Sequence, residues 1–192
     1  MEQERPLKRF CPSCGENADT LVMEKAGNSP GEITEELCCN ICGMLVEDRC
    51  KKEVTPADSI LIADDSQMMR EFMHDALTAS NLCRMVVTSN DGSEFITRFS
   101  RGISEKKRFS LVVLDVAMPV LNGINAAIAM RAIEKALKMK ATPILFCTAY
   151  KCDENFRKVL SFCTPARYLN KGSSSTPDML ATRIKQIVEL LL

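Results

Sequence analysis

Asp115 is the clearest candidate for a reactive side chain in this sequence. It follows the apolar run at residues 111–114, and Pro119 prevents that run from continuing as a strand. An ionised carboxylate at the end of such a run is too costly to bury without a partner. We therefore expect Asp115 at the rim of a sheet, facing a cation, a lysine or solvent.

Other apolar segments end in residues of complementary chemistry: Asp64 and Asp65, Thr148, and Lys171. Carboxylates that converge on one sheet edge repel each other and raise their own pKa values unless a cation is present. Hard oxygen ligands with open positions favour Mg²⁺, which keeps several waters and bridges to phosphate. A hydroxyl and an ammonium group opposite the ion would bind phosphoryl oxygens. The set predicts that Asp115 accepts a phosphoryl group.

A second chemical pattern consists of two C-x-x-C-G turns, with Cys11 and Cys14 in one and Cys39 and Cys42 in the other, separated by 24 residues. Two such turns present four thiolates, which suits a closed, tetrahedral, structural Zn²⁺ site. A redox C-x-x-C motif is the alternative, but it requires a strand–turn–helix in a large domain and does not explain a second copy. Cys38 competes with Cys39 as a ligand, although only Cys39 has the two-residue spacing to Cys42.

Residues 8–50 resemble a zinc ribbon. So few residues bury little core, so the metal would supply much of the stability. Residues 1–55, which we interpret as the ribbon and a linker, contain seven Lys or Arg and eleven Asp or Glu, a net charge of −4. Because this charge repels a phosphate backbone, we expect protein contact or structural support and no binding of nucleic acid.

The composition of the chain fits a cytoplasmic protein. Its 192 residues allow one domain and a small appendage, and its 25 basic and 25 acidic residues leave no net field. No apolar stretch reaches the roughly 20 residues that cross a bilayer, and the N-terminus lacks a signal-peptide core. Ten cysteines in a reducing compartment do not predict a disulfide framework.

From about residue 56, short apolar segments alternate with amphipathic helical patterns. Five such repeats predict a doubly wound parallel sheet with helices on both faces, in a domain spanning residues 56–192. In such sheets, ligands bind beyond the carboxyl ends of the strands. We predict strands near residues 59–64, 85–88, 111–115, 143–148 and 166–170, and helices near 69–77, 93–99, 124–137, 153–162 and from 176 onward.

The candidate residues at the strand ends match a known pattern. They resemble the receiver domain of two-component response regulators, whose flavodoxin-like α/β fold has a five-stranded parallel sheet. The match comprises Asp64-Asp65, Asp115-x-x-Met118-Pro119-x-x-x-Gly123, Thr148-Ala149 and Lys171-Gly172.

The resemblance implies a Mg²⁺ site. Asp65 would bind the ion directly together with Asp115, Asp64 would bind it through water, and the backbone carbonyl of Ala117 would complete the protein ligands.

The resemblance also implies how the phosphoryl group is bound. Asp115 would be the phosphorylation site, Thr148 would contact a phosphoryl oxygen, and Lys171 would pair first with Asp115 and then with the phosphate. Tyr168 matches the aromatic residue that turns inward on activation, although a buried core tyrosine explains it equally well.

We therefore expect a response regulator that takes phosphate from a histidine kinase or phosphotransfer protein and signals to an unknown protein partner. A homodimer through the fourth helix, fifth strand and fifth helix is also expected. We expect no enzymatic activity beyond self-phosphotransfer and slow autodephosphorylation. The autodephosphorylation should be slow because Ala117 cannot orient a water and Tyr150 can cover the phosphoryl group.

No further domain is expected after the fifth helix. The alternative is a transcriptional regulator whose zinc ribbon binds nucleic acid or polymerase.

Overall fold

The computed structural model describes residues 8–26, 33–47, 56–172 and 176–192. Its first part is an antiparallel sheet of four strands in chain order, which we call the N-terminal sheet. The strands of this sheet are β1 (Lys8–Cys11), β2 (Glu16–Ala26), β3 (Ile33–Cys39) and β4 (Leu45–Glu47). Cys50 and residues 51–55 of the expected linker lie outside the described residues.

The remaining described residues form the predicted flavodoxin-like, doubly wound α/β fold. The sheet is entirely parallel, with the order β6-β5-β7-β8-β9. Its strands are β5 (Ala57–Ala63), β6 (Cys83–Ser89), β7 (Leu111–Leu114), β8 (Ile144–Thr148) and β9 (Ala166–Asn170), and its helices are α1 (Gln67–Ala79), α2 (Gly92–Ser104), α3 (Gly123–Ala136), α4 (Glu154–Phe162) and α5 (Pro177–Leu191).

Each helix begins at a polar side chain that accepts a hydrogen bond from a backbone amide of the first turn, which satisfies a donor that has no partner within the helix. These residues are Ser66, Asp91, Asn122, Asp153 and Thr176.

Helix α2 and strand β6 are among the elements that are longer than the sequence pattern predicted. Helix α2 continues to Ser104 instead of ending near residue 99, because Ile103 packs on the same apolar cluster as Phe95 and Phe99. Strand β6 spans seven residues, where four were predicted. Its additional residues pair with β5 through backbone hydrogen bonds, which do not require an apolar side chain.

The core lies on both faces of the parallel sheet. Leu61 and Val112 belong to the apolar cluster that contains α2, α3 and α4, whereas Ile62 and Val113 belong to the cluster that contains α1 and α5. Alternate residues of a strand point to opposite faces, so a strand buried on both faces is apolar throughout. Within the described residues, no helix is long and apolar enough to cross a membrane.

Candidate functional site

The carboxylates converge because β5 and β7 are neighbours in the sheet. Ala63 pairs with Leu114 at the ends of these strands, and the amide of Asp115 donates to the carbonyl of Ala63 over 2.8 Å. One carboxylate oxygen from each of Asp64, Asp65 and Asp115 lies within 4.8 Å of the others. The structure thus brings together the acidic residues that the sequence placed at strand ends.

Lys171 reaches the same cluster from the end of β9. Its Nζ lies 2.6 Å from Oδ2 of Asp64 and 3.1 Å from Oδ2 of Asp115. Its backbone amide donates to the carbonyl of Thr148 over 2.8 Å, which fixes the position of the lysine beside the end of β8. The ammonium group therefore bridges two carboxylates.

Burial dominates the electrostatics of the cluster. It raises the pKa of Asp64 above its usual value, although the hydrogen bond and charge of Lys171 oppose the shift. Burial alone would lower the pKa of Lys171, but the hydrogen bond to Asp64 and the surrounding negative charges raise it. The one ammonium group pairs with Asp64 and Asp115, and the third carboxylate of the cluster, Asp65, has no such contact with it. Asp65 is exposed, and the donor set suits a hard divalent cation such as Mg²⁺ that enters from solvent.

The segment after Asp115 is packed closely against α3. A Cβ atom at Gly123 would lie 1.9 Å from the backbone oxygen of Asp115, and the amide of Gly123 donates to the carbonyl of Val116. Any side chain at this position would displace Asp115, which explains the glycine of the sequence pattern. Ala117 is exposed in the same segment.

Thr148 and Tyr168 are both buried. Thr148 ends β8, and its hydroxyl accepts a hydrogen bond from the amide of Tyr150 at 3.3 Å. The hydroxyl of Tyr168 donates to the carbonyl of Tyr150 and accepts from the side-chain amide of Asn170, and its ring packs edge-on against Phe156. Burial raises the pKa of Tyr168. These hydrogen bonds connect the loop after Thr148 to β9.

The cysteine turns converge in the N-terminal sheet. The Sγ atoms of Cys11 and Cys42 are 3.6 Å apart, and those of Cys14 and Cys39 are 3.8 Å apart. With Zn–S bonds of ~2.3 Å, the sulfur atoms of a tetrahedral site lie ~3.8 Å from each other. These four residues form the cysteine cluster among the described residues, and Cys38 is not a member of it. The spacing argument that favoured Cys39 is consistent with this geometry.

The thiols of this cluster have opposing pKa shifts. Hydrogen bonds from Cys11 and Cys14 lower the pKa of Cys42 to about 3, whereas hydrogen bonds to Cys11 and Cys42, together with burial, raise the pKa of Cys14. Both shifts arise because these sulfur atoms lie within hydrogen-bond distance of one another. A four-sulfur cluster of this size fits a tetrahedral cation that would replace the shared protons.

Comparison with known proteins identifies the larger domain. The response regulator receiver domain family matches residues 60–184. The chain belongs to the response regulator receiver family. Receiver domains in general act as phosphoacceptors in two-component signalling. The prediction that this chain contains the receiver domain of a two-component response regulator is therefore confirmed.

Among the solved structures that are similar to this chain, two illustrate the shared receiver fold. The response regulator TrrA from Thermotoga maritima, in complex with Mg²⁺ and BeF, is 26% identical with a TM-score of 0.54, and the match covers 70% of this chain and 99% of TrrA. The response regulator domain of Thermotoga maritima CheB is 20% identical with a TM-score of 0.55, covering 70% and 95% of the two chains. The first shows that a similar receiver is found with Mg²⁺, and the second supports the fold alone.

Curated relatives match about half of this chain. A protein-glutamate methylesterase/protein-glutamine glutaminase from Methanococcus maripaludis is 32% identical over 90 residues, which is 47% of this chain and 22% of that protein. The corresponding protein of Haloarcula marismortui is 33% identical over 95 residues, 50% of this chain and 22% of that protein. Because the match spans about a fifth of these relatives, it covers too little of them to transfer their esterase activity.

Sequence reasoning missed three residues that connect the N-terminal sheet to the receiver domain. Arg183 and Ser13 connect the first cysteine turn to β9 and α5, and Arg157 connects the second turn to α4. Of these residues, only Arg183 could have indicated a buried contact from the sequence, because it is a cation adjacent to the apolar face of α5. No spacing rule relates residues so far apart in the chain.

Proposed function

We propose that this chain is a response regulator that accepts a phosphoryl group on Asp115 from a phosphohistidine of a histidine kinase or phosphotransfer protein. We assign residues 56–192 to the receiver domain and residues 1–55 to a zinc ribbon with its linker. The observation that supports this assignment most strongly is the convergence of Asp64, Asp65 and Asp115 with Lys171 at one sheet edge.

In the proposed reaction, an oxygen of Asp115 attacks phosphorus and forms an O–P bond while the P–N bond of the donor histidine breaks. Asp65 and Asp115, with the carbonyl of Ala117, would bind Mg²⁺, and Asp64 would bind it through water. The bound ion would neutralise the carboxylates and the transferring oxygens. Lys171 would move its pairing from the carboxylates to the phosphoryl oxygens, and the hydroxyl of Thr148 would donate to one of them.

The signal would leave the site through the loop after Thr148. Tyr168 bonds to the carbonyl of Tyr150 in this loop, so a movement of Thr148 toward the phosphoryl group alters the environment of the tyrosine. We propose that Tyr168 is the aromatic residue that responds to phosphorylation and that a downstream protein reads the resulting change on α4, β9 and α5. A homodimer through this face would have to form beside the N-terminal sheet or displace it.

The cysteine cluster would bind Zn²⁺ with Cys11, Cys14, Cys39 and Cys42 as its four ligands. A site with four protein ligands leaves no open position, so the metal would be structural. Reduced cysteines fit the proposed cytoplasmic location. The acidic charge of residues 1–55 favours protein contact over nucleic acid, and we propose no catalytic activity beyond phosphotransfer to Asp115 and its slow hydrolysis.

The direct test is phosphorylation of the full chain by acetyl phosphate with Mg²⁺, measured by intact mass. We expect one added phosphoryl group in the wild type, none in Asp115→Asn, and a wild-type result in Asp178→Asn, which removes an exposed carboxylate from α5. Equal phosphorylation of Asp115→Asn and the wild type would contradict the proposal.

A further inference from the structure

The N-terminal sheet lies at the β9 edge of the receiver sheet, where it contacts both layers of the core. Cys14, Ile41 and Cys42 pack against the apolar cluster on the α1/α5 side and also against the cluster on the α2/α3/α4 side. Strand β9 is the edge strand next to β8, so its outer backbone groups need partners. The first cysteine turn supplies one of them, because the amide of Asn170 donates to the carbonyl of Ser13 over 2.7 Å.

Arg183 connects the first cysteine turn to the end of β9. Its buried guanidinium donates to the carbonyls of Pro12 at 2.6 Å, Ser13 at 3.0 Å and Asn170 at 2.7 Å. The contact is close, since a Cβ atom at Gly15 would lie 2.7 Å from the guanidinium atoms. One cation of α5 therefore fixes the turn and the strand end in a common arrangement.

Arg157 forms the corresponding contact with the second cysteine turn. From α4, its guanidinium donates to the carbonyls of Asn40 and Ile41, both at 2.6 Å. These two carbonyls lie between Cys39 and Cys42 in the chain. Each cysteine turn is thus bound to the receiver domain by an arginine: the first turn by Arg183 of α5 and the second turn by Arg157 of α4. A cavity of about 180 Å³, lined in part by Ser13, Cys42 and Tyr168, lies between the N-terminal sheet and the receiver domain, so this part of their interface is not close-packed.

The strand end bound by the first turn also carries residues of the phosphorylation site. Asn170 directly precedes Lys171, whose ammonium group pairs with Asp115. The Ser13 hydroxyl donates to the backbone carbonyl of Tyr168, whose own hydroxyl bonds to the loop after Thr148. The N-terminal sheet therefore contacts the backbone of β9 immediately before the lysine and on the strand that carries the tyrosine.

We propose that the N-terminal sheet is an intrachain positioning module for the Asp115 site: its cysteine turns, bound by Arg183 and Arg157, order the end of β9 and thereby raise the affinity of the site for a phosphoryl group. This inference rests on the phosphorylation of Asp115 proposed above. The residues that hold the module are positioning residues, since they act through Lys171 and the loop after Thr148.

The direction of the effect follows from preorganisation. A phosphoryl group that binds Lys171 and Thr148 must order the end of β9 and the neighbouring loop. Where the N-terminal sheet has already fixed Asn170 and Tyr168, less conformational entropy is lost on binding. Coupling between two sites is reciprocal, so binding at Asp115 should in turn stabilise the docked sheet.

The test compares the full chain with the double variant Ser13→Ala/Arg157→Gln, which keeps all cysteines, and with Lys158→Gln. Lys158 is the exposed neighbour of Arg157 on α4, so this control removes a charge from the same helix. The probe is beryllofluoride with Mg²⁺, titrated by calorimetry, with amide hydrogen exchange of β9 as a second readout. We expect at least a roughly fivefold weaker affinity in the double variant, faster exchange of the Asn170 amide, and a wild-type result for the control. Restoring a cation with Ser13→Ala/Arg157→Lys should recover part of the affinity.

The outcomes separate this inference from the proposed function. If the wild type binds no beryllofluoride and is not phosphorylated at Asp115, the proposed function fails. If the wild type binds it and the double variant binds it equally well or more tightly, the positioning role is wrong. The same conclusion follows if exchange at Asn170 is unchanged in the double variant, because these contacts then do not order β9.

Discussion

The ammonium group of Lys171 lies 3.1 Å from Oδ2 of Asp115, although the two residues follow different strands, β9 and β7. The side chain of Lys171 is 16% exposed, so solvent screens this pair only partly. The same ammonium group is the charged partner of the fully buried Asp64. A single lysine therefore compensates two carboxylates in the metal-free protein.

Replacing Lys171 with methionine should destabilise the metal-free protein by about 3 kcal/mol, because it leaves Asp64 buried without its cation. Added Mg²⁺ should raise the melting temperature of this variant more than that of the wild type, since no ammonium group then competes with the ion for Asp64 and Asp115. Thermal unfolding with and without Mg²⁺ measures both effects. Lys185→Met, which removes a half-exposed lysine with a partner 3.9 Å away, should change little. Equal Mg²⁺ shifts in Lys171→Met and the wild type would count against the pairing.

The stability of the metal-free protein should depend on pH through Asp64. The pKa of Asp64 is raised mainly by burial, and Asp115 adds to the shift while Lys171 opposes it. Above the unfolded pKa of ~3.9, the native state therefore binds more protons at this residue than the unfolded state does. The contribution of Asp64 to stability falls as pH rises through the window between its unfolded and folded pKa values.

Asp64→Asn should consequently melt higher than the wild type at pH 7 in Mg²⁺-free buffer, by ~2–4 °C for each kcal/mol gained. The difference should shrink as the pH is lowered toward 4. Asp65, Asp115 and Lys171 face the same cluster and are unchanged in this comparison. Asp75→Asn, in which the removed carboxylate is 83% exposed, is the control. A lower melting temperature for Asp64→Asn at pH 7 would show that the charge of Asp64 is stabilising.

The purified chain should contain one zinc ion, and Cys39→Ser should lose it while the neighbouring Cys38→Ser retains it. The sulfur of Cys39 lies 3.8 Å from that of Cys14 within the four-cysteine cluster, whereas Cys38 lies outside that cluster. Metal content can be measured by a colorimetric chelator after denaturation. Because the metal would supply much of the stability of this small sheet, its removal should also increase proteolysis of residues 8–47. Retention of zinc by Cys39→Ser would require a different ligand set.

Phosphate should be lost slowly from Asp115. Ala117 is exposed beside the site and has no group that can orient an attacking water. Introducing a carboxamide with Ala117→Asn should accelerate hydrolysis by about tenfold or more. The half-life of the isolated phosphoprotein, followed by intact mass, checks this. Wild-type loss within a few seconds, or no acceleration in the variant, would be inconsistent with the expectation.

The sequence alone was sufficient to locate the acidic cluster and the cysteine cluster. Asp64 and Asp115 each follow an apolar strand, and parallel strands end at the same edge of a sheet, so strand periodicity places both carboxylates at one edge. They come into contact because β5 and β7 are neighbours in the sheet, although β6 lies between them in the chain. The two-residue spacing of the cysteines similarly restricts which sulfurs can meet. These are local patterns, and the structure reproduces their geometry.

The position of the N-terminal sheet was decided only by the tertiary structure. Its contacts with the receiver domain join Arg157, Arg183 and the amide of Asn170 to backbone carbonyls of the cysteine turns. A backbone carbonyl is present at every residue, so no sequence pattern identifies which one a distant arginine will bind. Only the packed arrangement of the two sheets shows that the cysteine turns lie against the strand that carries Lys171 to the acidic cluster.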